Sequence, residues 1–149
     1  MGTVTYPNQD VIDFVTTHFI SIKFDNTIDP KKFEEFDAQW TPTILIIDED
    51  RKEHHRTTGY LSPSDFLSEM KLGLAKLEYH AQHYDKARSA YRRVLQAYPD
   101  SAAAPEALYF SGVCNYMATH DPGYLKETFT ELKEKYPGSD WTKKAEVWS

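Results

Sequence analysis

Residues 87–101, Ala-Arg-Ser-Ala-Tyr-Arg-Arg-Val-Leu-Gln-Ala-Tyr-Pro-Asp-Ser, return at residues 125–139 as Leu-Lys-Glu-Thr-Phe-Thr-Glu-Leu-Lys-Glu-Lys-Tyr-Pro-Gly-Ser. Ala87, Tyr91 and Val94 become Leu125, Phe129 and Leu132 at an offset of 38, and Tyr98-Pro99 becomes Tyr136-Pro137. Spacing of i, i+4, i+7 is one face of a helix, and a following Pro stops it. Upstream of each segment lies a second match, with Gly73, Leu74, Ala75 and Leu77 against Gly112, Val113, Cys114 and Tyr116 at an offset of 39. The extra residue falls in the turn at Asp121-Pro122-Gly123. Each unit is therefore a helix, a turn, a helix and a Pro stop. Ser139 caps a last short helix carrying Trp141, Ala145 and Trp148.

Toward the N-terminus the helical run begins at Ser62-Pro63-Ser64-Asp65, where Ser62 can cap, Pro63 suits the first helical position and Asp65 can close a capping box. Phe66, Met70, Leu74 and Leu77 then predict one long helix to about residue 80 with that stripe buried. Residues 1–61 mix periods. Val11, Phe14 and Val15 predict a helix at 9–17, capped by Asn8 or Asp10. Phe19 to Phe24 alternates and predicts a half-buried edge strand. Phe33 and Phe36 mark a short helix after Pro30. Thr43 to Ile47 is continuously apolar and β-branched, which predicts an inner strand covered on both faces. Asp48 to Arg51 is a turn, and Glu53 to Tyr60 returns as the hairpin partner.

Composition sets outer limits. The chain has 149 residues, 17 Lys+Arg against 23 Asp+Glu, and one cysteine. Ten tyrosines, eight phenylalanines and three tryptophans provide ample core material, which excludes a disordered chain. A net charge of −6 argues against generic binding to nucleic acid or an anionic membrane. No apolar run approaches the ~18 residues of a membrane span, and no signal peptide opens the chain. A single cysteine excludes a disulfide scaffold, a cysteine-built zinc site and a self-contained dithiol enzyme, and fits a reducing compartment. A cytoplasmic location follows as the expectation, with an envelope association if the native N-terminus lies upstream.

The repeat resembles a tetratricopeptide helical pair. Leu74, Ala75, Tyr84, Ala87, Tyr91 and Pro99 fall at that family's packing positions, over about residues 68–149. Tyr98-Pro99-Asp100-Ser101 followed by Ala104 to Tyr109 is similar to the longer repeats of bacterial envelope-associated members. The Gly usual in the inter-helix turn is replaced by Gln82-His83. The first part, residues 1–80, resembles the C-terminal part of a thioredoxin-like domain. The residues that carry this are Trp40-Thr41-Pro42-Thr43, the apolar strand to Asp48, the hairpin, Gly59-Tyr60 and Ser62-Pro63. Met1, Thr5-Tyr6 and Asn8 to Val11 are similar to the part downstream of Cys-x-x-Cys in transmembrane thiol-disulfide interchange proteins. The second cysteine of that motif would lie three residues before Met1. The resemblance implies an α/β unit with a cis Pro42, followed by α-helical hairpins that share the helix from about 63 to 80. It also implies a redox-inactive chain, since the dithiol and the central strand of that family are both missing. Three arrangements fill the strand's place: the strands at 19–24 and 43–48 close up, something else occupies the gap, or the natural chain begins upstream.

Most of the chemistry-bearing residues have an ordinary structural role. Cys114 matches Ala75 and is expected to be a packed, inert thiol. His54 and His55 are adjacent on a strand and so should point to opposite faces, which rules out joint chelation of a metal. Lys86, Arg88, Arg92 and Arg93 are expected to form a solvated helix face. Asp48, Glu49 and Asp50 lack calcium-loop spacing. No GxSxG, P-loop or dinucleotide fingerprint is present. No catalytic residue, metal or cofactor is therefore assigned. Trp40, Thr41 and Pro42 are the candidate peptide-binding residues, because the resemblance implies an extended segment pairing beside that proline. The expected function is a non-catalytic protein-protein interaction module with a protein or peptide partner. The alternative is the C-terminal portion of a thiol-disulfide oxidoreductase whose Cys-x-x-Cys lies upstream of Met1.

Overall fold

The computed structural model describes all 149 residues. The order is α1 (Gln9–His18), α2 (Pro30–Glu35), β1 (Thr43–Ile47), β2 (Glu53–Thr58), α3 (Pro63–His80), α4 (Tyr84–Ala97), α5 (Ala103–Thr119), α6 (Gly123–Lys135) and α7 (Asp140–Ala145), then a 3-10 turn at Glu146–Trp148. The chain is mostly helical, with one two-stranded antiparallel sheet ahead of the helical hairpins. No helix is long and apolar enough to cross a membrane.

Three helix starts follow from side-chain caps. Asn8 Oδ1 accepts from the Val11 amide at 3.3 Å, Ser62 Oγ from Asp65 at 3.2 Å and Ser139 Oγ from Trp141 at 3.1 Å. The Ser62 hydroxyl also donates to the Asp65 carboxylate at 2.6 Å. The turn that lacks glycine holds Gln82 at φ 62°, the left-handed region that L-residues rarely adopt.

The first helices of the two repeat units match in burial as well as in sequence. Gly73 and Gly112 are buried, Leu74 and Val113 half-buried, Ala75 and Cys114 buried, Leu77 and Tyr116 half-buried. The expected α3 stripe therefore needs correcting. Phe66 and Met70 are buried, but Leu74 and Leu77 are only partly so, and Leu72, Gly73 and Ala75 are buried instead. The cause is that α3 packs on more than one side. Phe66 and Met70 join Val11 and Ile46 in one cluster, while Leu72 and Ala75 join Ala87, Tyr91, Val94 and Cys114 in another. Gly73 lies against the hairpin, where a methyl would collide with Ile46 Cδ1 and meet His55 Cβ at 3.0 Å. α6 is the outer helix of its pair, so Leu132 is buried while Leu125 and Phe129 stay half-exposed.

Two strand expectations are overturned. Residues 19–24 form no strand, and Ile20 and Ile22 are 96% and 74% exposed. Alternation alone does not make a strand where no neighbour supplies ladder partners. β1 is not an inner strand either. It pairs with β2 only, Ile46 alone is buried, and Ile47 is 39% exposed. The Thr41–Pro42 peptide bond is cis.

Candidate functional site

The segment before β1 is held from both ends. Thr43 Oγ1 donates to the Trp40 carbonyl at 2.6 Å, and the Gly59 amide donates to the Pro42 carbonyl at 2.8 Å. Arg56 on β2 donates to the Phe36 and Asp37 carbonyls at 2.7 and 3.1 Å, and Arg51 to Glu35 at 2.7 Å. These bonds fix α2 and its C-terminal loop on the hairpin. Between them opens a cleft of about 360 Å³ lined by Asn26, Pro30, Phe33, Ala38, Gln39, Trp40 and Thr41. Trp40 is 68% exposed at its rim. Two of the three candidate residues thus line one cleft. Pro42 is not part of its lining and leads directly into β1.

The outer edge of β1 is unpaired. The Gly59–Pro42 bond fixes the parity of the ladder, so with Thr43 opposite Thr58, the residues that exchange bonds with β2 are Ile44 and Ile46. Thr43, Leu45 and Ile47 direct their N–H and C=O groups to the open side. An unpaired strand edge is a template for an added strand.

A second group of residues escaped the sequence reading. A bulge between Ile46 and Ile47 leaves His54 as an extra residue between the pairs Ile46–His55 and Ile47–Glu53. Adjacent side chains of β2 then both turn toward α3, and both are buried, which corrects the expectation of opposite faces. His54 Nε2 donates to Asp48 Oδ2 at 2.8 Å, and its Nδ1 lies 2.8 Å from His80 Nδ1. His55 Nε2 donates to Glu69 Oε2 at 2.8 Å, and its Nδ1 accepts from Lys76 Nζ at 3.2 Å. Lys76 in turn pairs with Glu106 of α5 at 2.5 Å. The bond from His54, with the Lys52 and Asp50 amides, holds the Asp48 carboxyl below the usual carboxylate range. The only sequence trace of this arrangement is Glu69, Gly73, Lys76 and His80 at i, i+4, i+7, i+11, one further stripe of α3.

Elsewhere the sequence expectations meet ordinary packing. Cys114 is buried, and that burial pushes its thiol up to about 12. Lys86, Arg92 and Arg93 are exposed, while Arg88 donates to Asn115 Oδ1 at 2.7 Å. Another cleft of about 360 Å³ lies between α4, α5 and α6, with Arg92, Asn115 and Glu127 in its wall.

No curated protein and no solved structure matches the chain. The tetratricopeptide repeat family matches residues 69–101, which span most of α3, the Gln82 turn, all of α4 and the Pro99 stop, a helical pair of the kind that usually mediates protein-protein contacts.

Proposed function

We propose that this chain is a non-catalytic protein-interaction module, with a thioredoxin-like unit at 1–80 and tetratricopeptide-like helices at 68–149 sharing α3. The observation that carries the coarse reading is the tetratricopeptide match over α3 and α4. The finer reading places an extended peptide along the open edge of β1, with one side chain in the cleft beside Trp40 and Thr41. It is supported by three neighbouring features: the outward backbone groups of Thr43, Leu45 and Ile47, the exposed Trp40, and the cleft itself. The peptide contributes main-chain hydrogen bonds for affinity and alternate side chains for selectivity.

An array of extended apolar peptides, probed with wild type and with Trp40→Ala, tests this. Binding should fall at least about tenfold with Trp40→Ala, the loss typical of one exposed aromatic anchor. N-methylation along a bound peptide should abolish binding at every second residue. Binding that survives both changes overturns the β1 site.

A second reading is favoured by the unpaired segment 19–24 together with the open edge of β1. Both would be satisfied if this chain were the C-terminal portion of a thiol-disulfide oxidoreductase, with an upstream strand and Cys-x-x-Cys completing the site. The in-frame sequence before Met1 decides between the readings. Restoring such an extension should produce disulfide reduction without any change in residues 1–149, whereas the chain alone should not exceed the uncatalysed background.

A further inference from the structure

The second helices of the two units, α4 and α6, both pack on α5, but their backbones stay apart from each other. α5 therefore floors the groove of about 360 Å³ between them. Arg88 donates to Asn115 at 2.7 Å, which sets α4 against α5, and a methyl at Gly112 would fall on Thr128, which sets α6 against α5. Arg92 follows Arg88 by one turn as Ser111 precedes Asn115, so Arg92, Ser111 and Glu127 stand at about one level of the groove, with Gln96 and Glu131 one turn on. Ser111 is 5% exposed, and its hydroxyl bonds to no protein atom, whereas the other buried serine and threonine hydroxyls, on Thr5, Ser68, Thr128 and Thr142, each donate to a carbonyl. The side-chain oxygen of Asn115 is held by Arg88, which leaves its NH2 group free to donate. In the walls, Arg88 and Glu131 have partners in Asp85 at 3.3 Å and Lys135 at 2.7 Å, but Arg92 and Glu127 pair with nothing.

We propose that this groove binds an extended peptide that places an acidic side chain on Arg92 and a basic one on Glu127. The two walls carry opposite charge, and neighbouring side chains of an extended chain point to opposite sides. The periods agree as well: one helical turn advances about 6 Å, and two residues of strand about 6.6 Å. An acid beside Arg92 is therefore followed by a base beside Glu127, a polar residue beside Gln96 and a second base beside Glu131, in either chain direction. A chain so placed turns the N–H and C=O of every second residue to the floor, where the Ser111 hydroxyl and the Asn115 NH2 group stand without partners. An apolar peptide of the kind proposed for β1 answers neither wall charge, so the two sites select different partners.

Fluorescence anisotropy at low ionic strength tests the groove with two labelled probes, Ser-Glu-Lys-Gln-Lys-Ser and its reverse, Ser-Lys-Gln-Lys-Glu-Ser, one for each chain direction. One probe should bind with a Kd below about 1 mM and weaken as salt is added. Arg92→Glu and Glu127→Lys should each weaken it about fivefold or more, since an attraction becomes a repulsion. Glu127→Lys should recover binding when the lysine next to the probe's glutamate is itself replaced by glutamate, a response that a structural role of Glu127 would not give. Ser111→Ala should weaken binding about threefold through the lost main-chain bond. Trp40→Ala should leave it unchanged, which separates this groove from the edge of β1. Arg92 and Glu127 are exposed and unpaired, so their variants should keep the fold, and unchanged melting by circular dichroism verifies that. The groove is overturned if neither probe binds, if the wall variants or Ser111→Ala bind as wild type, if the exchanged probe brings Glu127→Lys no recovery, or if Trp40→Ala abolishes binding.

Discussion

Tyr91 is fully buried, and its hydroxyl has no hydrogen-bond partner. Burial pushes its ionisation well above the usual tyrosine range, so the cost lies in a neutral O–H stripped of water. Tyr91→Phe should raise stability by about 1–2 kcal/mol in a denaturant titration, since it removes an unpaired polar atom and keeps the ring. The same core holds Cys114, whose thiol stays protonated at any ordinary pH. An aromatic disulfide reagent at about pH 8 should therefore label the protein only at the rate of unfolding, and Cys114→Ala should leave the fold intact. The burial of Cys114 was legible in the sequence, because Ala75 occupies its place in the first unit. The roles of His54 and His55 were not. Alternation assigns neighbours to opposite faces, and one inserted residue in β2 cancels it without leaving any mark in composition.

At the scale of elements, α3 decides how the molecule is built. Leu72→Ala should cost about 2–5 kcal/mol, because Leu72 is 1% exposed in the repeat cluster, while the half-buried Leu74 should cost less than half as much. Gly73→Ala should cost about 1–3 kcal/mol and loosen the hairpin first, since the added methyl meets Ile46 and His55 and not the neighbouring helices. Helix existence, caps and the repeat boundary were all readable from spacing and Pro stops. The buried face of α3 was only half readable. A 3.6-residue period finds one apolar stripe, and a helix clamped from two sides buries small residues such as Gly73 and Ala75 that carry little apolar signal. Residues 19–24 failed for the opposite reason. Their alternation is real, but a strand is a property of two segments, and no second segment supplies them with ladder partners.

Across the whole molecule, side chains tie the first part to the helical array. Lys71 lies over the Phe14 ring of α1 at 5.3 Å and over Tyr98 at the end of α4 at 5.2 Å. Thr5 donates to the Leu61 carbonyl at 2.5 Å, and Lys76 links β2 to α5 through His55 and Glu106. A single cooperative thermal transition should result, with circular dichroism and the fluorescence of Trp40, Trp141 and Trp148 changing together; two separated transitions would contradict the shared helix. Under the proposed reading, what the intact body offers a partner is the strand edge beside Trp40. Amide-resolved exchange by nuclear magnetic resonance, with and without a peptide taken from the array, probes that edge directly. In the free protein Ile44 and Ile46 should be protected and Thr43, Leu45 and Ile47 should exchange rapidly; on binding, protection should appear at Thr43, Leu45 and Ile47 and nowhere in α4–α7. Protection that appears along the helices while those three amides stay open would contradict the account.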